Sequence, residues 1–195
     1  MEMQGSRRLA VTQQQAWDAL NDPEVLKLCI PGCDKVQAAG ENLYAIAMAV
    51  KVGPVSARFN GKILLADVLP PNSYTLQFEG QGGAAGFGKG SAQVHLAPPA
   101  EGAGCELSYT AQAQVGGKIA QVGQRLVDGV ARSMAEDFFR RFDAEMQRRH
   151  PQSYLAEAAL PPPSAAPVTP RKGVPGWVWI AVAVVLLGAV LLLGR

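Results

Sequence analysis

Residues 117–148, GKIAQVGQRLVDGVARSMAEDFFRRFDAEMQR, place an apolar residue at nearly every third or fourth position. Ile119, Val122, Leu126, Val130, Met134, Phe138 and Phe142 form a single stripe, which predicts a helix from about Gly117 to Arg148. Gln121, Arg125, Asp128, Arg132 and Glu136 fall on the other side. A helix of this length with one apolar face needs a broad surface to cover. Gly123 and Gly129 lie inside it, each costing about 1 kcal/mol relative to alanine. Their small size is expected to serve either close contact with that surface or room for a ligand.

The surface lies upstream. From Cys33 to Val115 apolar and polar residues alternate between turn signals, predicting five or six antiparallel strands. The turns are Gly40-Glu41-Asn42, Gly53-Pro54, Pro70-Pro71-Asn72, the glycines near residue 82, and Pro98 to Gly104. Met1 to Val11 reads as a further strand. Thr12 then offers an N-cap for a helix to Leu20, and Asp22 caps a second helix to Leu28 with Pro23 in its first position, which Pro31-Gly32 ends. The order predicts an α+β fold of the helix-grip type over residues 1–150. A curved antiparallel sheet wraps a long C-terminal helix, with two short helices after the first strand.

Gly80 to Gly90, GQGGAAGFGKG, holds partial matches to two nucleotide-binding fingerprints. Gly80, Gly82 and Ala85 fit the dinucleotide pattern; Gly83, Gly88 and Lys89 fit a phosphate loop up to Gly90, where serine or threonine is required. Both need a helix to follow, and Ser91 to Leu96 alternates like a strand. The glycines are therefore read as a tight hairpin or bulge with Phe87 at its tip, or as a flap beside a cavity.

Residues 1–150 hold fifteen basic and fifteen acidic side chains, so the domain is formally neutral and nucleic acid is not expected as a partner. Arg140, Arg141, Arg148 and Arg149 form a local basic cluster, expected to solvate a helix end. Cys29, Cys33 and Cys105 are too few for a four-ligand zinc site, and no disulfide is expected of them in the cytoplasm. His95 and His150 have no evident nucleophile partner, so no catalytic constellation is visible and the domain is not read as an enzyme. Phe59, Phe78, Phe87, Tyr109, Ile119, Val122, Gly123, Leu126, Val130 and Met134 are candidate lining for an apolar cavity between sheet and helix, or plain core.

Beyond the domain, seven of the twenty-five residues from Pro151 to Pro175 are proline. This predicts a linker that favours extended polyproline II and resists helix formation. Gly176 to Gly194, GWVWIAVAVVLLGAVLLLG, has no charged, amide or hydroxyl side chain. As a helix its nineteen residues measure roughly 28 Å, enough to cross the hydrocarbon of a bilayer. Trp177 and Trp179 at one end suit the headgroup level. With no apolar stretch of signal-peptide length near Met1, and Arg171 and Lys172 before the span against Arg195 after it, the expectation is a single-pass tail anchor with a cytoplasmic N-terminal domain.

The combination of IPGC (Ile30 to Cys33), KVGPV (Lys51 to Val55), GGAAGFGKG (Gly82 to Gly90), VGGKIAQVGQRLVDGVA (Val115 to Ala131) and DFFRRF (Asp137 to Phe142) resembles the carbon monoxide dehydrogenase G-subunit family. That family lies in the polyketide-cyclase and START-like (SRPBCC) superfamily of helix-grip proteins. The resemblance covers residues 1 to about 146 and implies no catalytic residues and no covalent cofactor. Its members are encoded beside molybdenum hydroxylases, including aerobic carbon monoxide dehydrogenase. They are implied to recruit that enzyme to the inner membrane or to carry quinone to it. Membrane lipid, quinone and a molybdenum hydroxylase are thus the expected partners, with recruitment or assembly alone as the alternative.

Overall fold

The computed structural model describes residues 1–99 and 102–159. Seven strands, β1 (Glu2–Leu9), β2 (Cys33–Gly40), β3 (Leu43–Val52), β4 (Val55–Leu69), β5 (Ser73–Gln81), β6 (Phe87–Ala97) and β7 (Cys105–Gly116), pair antiparallel in the order β1-β7-β6-β5-β4-β3-β2. Helices α1 (Gln13–Leu20) and α2 (Pro23–Cys29) carry the chain from one edge strand to the other. Their starts are the expected ones. Thr12 and Gln15 form a reciprocal capping box, and the Asp22 carboxylate accepts from the Glu24 amide at 2.9 Å ahead of Pro23.

The curved sheet is gripped on its concave face by α4 (Gln124–Arg149), giving the predicted helix-grip arrangement. Most of the core lies toward the C-terminal half of that helix. Phe142 and Met146 are fully buried in one cluster with Leu9, Val11, Leu96 and Leu107. Phe138 stacks on Phe142 with centroids 5.9 Å apart, and Trp17 meets Tyr74 edge-on at 5.5 Å. A second, smaller cluster of Val52, Ile119 and Val127 sits at the other end of the helix. The core is therefore thick at one end of the sheet and thin at the other.

Three expectations are corrected. The final helix is not continuous from Gly117: a short α3 (Lys118–Gln121) precedes α4, and Gly123 stands between them with φ 97°, where a side chain would be strained. Within α4 the stripe also drifts: Leu126, Val130, Met134, Phe138 and Phe142 are spaced by four, which turns by about 40° per step on a 3.6-residue helix, so Val127 is buried and Leu126 is 42% exposed. Gly123 and Gly129 do not serve close contact either, since a Cβ at either position would meet nothing within 4 Å. Finally, the start of the proline-rich segment is helical, as α5 (Pro151–Ala159). Proline is tolerated in a first helical turn, and Tyr154 anchors the helix by donating to the Asp143 carboxylate at 2.6 Å. Residues 160–175 and the apolar segment Gly176–Gly194 lie outside the described residues. Among the described residues no helix is long and apolar enough to cross a membrane.

The arginines at the end of α4 are engaged in ion pairs. Glu145 accepts from Arg148 at 2.7 and 2.8 Å and from Arg149 at 2.6 Å, and Arg149 donates on to Asp22 at 2.9 Å, tying α4 to the start of α2. The bond from Arg148, aided by Arg149 and opposed by burial, holds the Glu145 carboxyl down from 4.5 to about 2. Burial pushes Asp22 up, but its bonds from Arg149 and the Glu24 amide leave it lowered. A carboxyl depressed on folding lends stability that is full above its unfolded value and lost as pH falls through the folded one. Tm should therefore decline as pH drops from 4.5 toward 2, and Glu145→Gln should flatten that decline. An acid titration indifferent to the substitution would contradict this clamp.

Candidate functional site

Strand register creates an unusual row across the concave face. Ile46 pairs with Gly61, Gly61 with Gly80, Gly80 with Gly88, and Gly88 with Val115. Three neighbouring strands thus present no side chain at the same level, in the phase of the alternation that faces the helix. The result is a cavity of about 300 Å³ floored by these glycines. Its walls are Met48 and Val50 from β3, Phe59 and Ile63 from β4, Leu76 and Phe78 from β5, Phe87 from β6 and Ile119 from α3. Lys62 and Glu79 border it from exposed positions, and no hydroxyl lines it. Phe87 is both wall and 40% exposed, so the cavity reaches solvent beside it.

The glycines differ in what they permit. At Gly61 a Cβ would lie 2.2 Å from the Glu79 carbonyl oxygen, so only glycine lets β4 and β5 approach so closely there. At Gly80 and Gly88 the nearest atoms to a Cβ would be 3.8 and 3.9 Å away, ordinary contact distances. The cavity is therefore unfilled space above these two positions rather than a consequence of backbone strain.

The glycine run forms the connection beside the cavity. Gly83–Ala85 makes one 3-10 turn, the Gly82 amide donates to the Gly86 carbonyl at 2.8 Å, and Gly86 takes φ 118° against the Gly116 carbonyl. Phe87 is not at the hairpin tip. It opens β6, and its ring lies over Gly116. No helix follows the run, so the phosphate-binding geometry is absent.

Of the candidate lining residues, Phe59, Phe78, Phe87 and Ile119 meet around the cavity. Val122 and Val130 pack on the small cluster beside it. Tyr109 stacks on Phe139 at 5.5 Å in the main core, Leu126 lies against Gly53 of the β3–β4 turn, Met134 is half-buried outside the lining, and Gly123 forms the α3–α4 break. The sequence reading missed Ile46, Met48, Val50, Ile63, Leu76 and Val115. It also missed the glycine row. The available signal was glycine in the apolar phase of alternating strands, as in Phe59-Asn60-Gly61-Lys62-Ile63.

The cysteine thiols are not activated. Burial, with Glu145 nearby, pushes the Cys29 thiol up to about 11, and burial also raises Cys33 and Cys105. These are poor nucleophiles. Among the described residues no cluster of potential metal ligands occurs. A wider hollow of about 1,070 Å³ lies on the opposite face of the sheet, bordered by exposed Lys62, Gln77, Glu79, Lys89, Gln112 and Gln114. Leu43, Leu64 and Phe78 stand among these polar side chains, so its border is mixed.

The profile of the carbon monoxide dehydrogenase G-subunit (CoxG) family matches residues 5–147. A conserved protein from Geobacillus kaustophilus is 33% identical, with a TM-score of 0.71 over 77% of this chain and 97% of that one. A protein from Thermus thermophilus is 14% identical (TM-score 0.59, 77% and 99% covered). An aromatase/cyclase from Streptomyces sp. R1128 is 13% identical (TM-score 0.54, 76% and 94% covered). At such identities the last two show the fold alone. No curated protein matches the chain in sequence.

Proposed function

This chain belongs to the carbon monoxide dehydrogenase G-subunit (CoxG) family, and on that premise we propose that its helix-grip domain binds an apolar, quinone-type ligand and carries it to a molybdenum hydroxylase such as carbon monoxide dehydrogenase. The segment Gly176–Gly194 tethers the domain to the cell's inner membrane, and the domain recruits the enzyme there. The observation that carries this reading is the cavity. Its walls are almost wholly apolar, and three in-register glycines hold its floor open. Its size falls at the lower end of small-molecule sites, about 300–1,000 Å³, which suits a ring with a short length of isoprenoid. A carrier needs to shelter such a molecule from water without reacting with it, and the two ionisable side chains at the cavity's border, Lys62 and Glu79, stand at exposed positions outside its apolar walls.

Recruitment without carriage is the competing reading, supported by the family name and by the apolar tail. The tether separates the two. Because α5 packs on the domain, the segment to shorten is residues 160–175. Cut to about five residues, it reaches roughly 18 Å, and a domain that must shuttle should lose quinone-coupled electron transfer from the hydroxylase while remaining membrane-bound. Normal docking with undiminished quinone reduction would leave recruitment alone.

A further inference from the structure

The end of the domain at which the cavity opens has a charge and polarity of its own. The β3–β4 turn, the β5–β6 connection and the α3–α4 break meet there: Leu126 touches Gly53, and Gly86 lies against Gly116 and Gly117. Residues 50–60, 82–90 and 114–128 contain five basic side chains, Lys51, Arg58, Lys89, Lys118 and Arg125, against one acidic one, Asp128, which accepts from Gln124 at 2.7 Å, although the domain as a whole is formally neutral. Arg58 is paired with Asp34, and Lys89 faces Glu79 in register on the outer face. Lys51, Lys118 and Arg125 are exposed and make no ion pair with any described residue. Between them stand Phe87 and Leu126, 40% and 42% exposed, two of the few large apolar side chains so open to solvent.

We propose that this end is a docking face for an anionic lipid bilayer, with Lys51, Lys118 and Arg125 against the headgroups and Phe87 and Leu126 dipping below them. Basic side chains ringing exposed apolar ones is the pattern of interfacial attachment. The position adds the reason for lipid over a protein partner. The inference rests on reading the cavity as a ligand site: an apolar ligand entering beside Phe87 would avoid crossing water if that mouth lay on the bilayer. Sixteen residues separate Ala159 from Gly176, about 50 Å as polyproline II, which allows the domain to reach the surface that the tail occupies.

The test uses the full chain in nanodiscs of phosphatidylcholine with or without phosphatidylglycerol, followed by amide hydrogen exchange. Slower exchange is expected at residues 51–56, 82–88 and 117–126 in the anionic discs only. Each basic residue near an anionic leaflet is worth about fivefold in partitioning, so the triple variant Lys51→Glu, Lys118→Glu, Arg125→Glu should weaken docking at least about a hundredfold and abolish the protection. Protection that is absent, equal in neutral discs, or unaffected by the triple variant overturns the proposal. Protection appearing only on addition of the hydroxylase overturns it in favour of a protein surface. Native mass spectrometry of the same variant keeps the two readings apart: ligand retained with docking lost upholds both, whereas docking by a wild-type chain that never carries ligand upholds the face and removes the ligand reading.

Discussion

Gly88→Leu is expected to abolish apolar ligand binding and leave the domain at least as stable as before. A Cβ at Gly88 meets only Val115 Cγ1, at 3.9 Å, so the leucine enters the cavity without displacing backbone. Burying it there contributes about 1.5–3 kcal/mol, which offsets any local crowding, and a strand gains by losing a glycine. Affinity for a short-chain quinone analogue should fall by at least about tenfold, or roughly 1.4 kcal/mol. Calorimetric titration and thermal melting report the two quantities independently. Gly61→Ala supplies the contrast, because its Cβ would stand 2.2 Å from the Glu79 oxygen. That variant should lose about 1–3 kcal/mol of stability from forced backbone shifts. A Gly88→Leu protein that melts far below wild type would mean that no usable space exists above the glycine row.

Phe142→Ala should be the most destabilising single truncation. Phe142 is fully buried, stacks on Phe138 and lies in the thick part of the core. Losing its ring costs about 3–5 kcal/mol, and at about 2–4 °C per kcal/mol for a chain of this size Tm should fall by about 6–20 °C. If the alanine variant does not fold, Phe142→Leu should show the same direction with a smaller drop. Ligand affinity of the folded fraction should change little, since Phe142 belongs to the main core cluster and does not line the cavity. Comparable losses of stability and affinity would contradict the division of the domain into a packed end and a ligand end.

The order of elements was legible because each left a local mark. Thr12 with Gln15, and Asp22 with Pro23, are capping patterns that need only adjacent residues to act, and the strands announced themselves by alternation. The break at Gly123 was not legible, since a glycine inside an apolar period reads the same whether it continues the helix or turns out of it at φ 97°. Inside α4 the i, i+4 stripe drifts by about 40° per step, so over the sixteen residues back from Phe142 it arrived at Leu126 where Val127 belongs. The cavity was half legible for a similar reason. Phe59, Phe78, Phe87 and Ile119 are large and apolar and could be picked by composition. Its floor consists of missing side chains, visible only once the register places Gly61, Gly80 and Gly88 side by side.

Native mass spectrometry of the full chain, released from its own membranes in a mild detergent, measures most directly whether the cavity holds a ligand. A population carrying one isoprenoid quinone per chain is expected, absent from Gly88→Leu prepared in parallel. A chain that emerges free of any apolar ligand, or a Gly88→Leu variant that carries as much as wild type, would contradict that expectation.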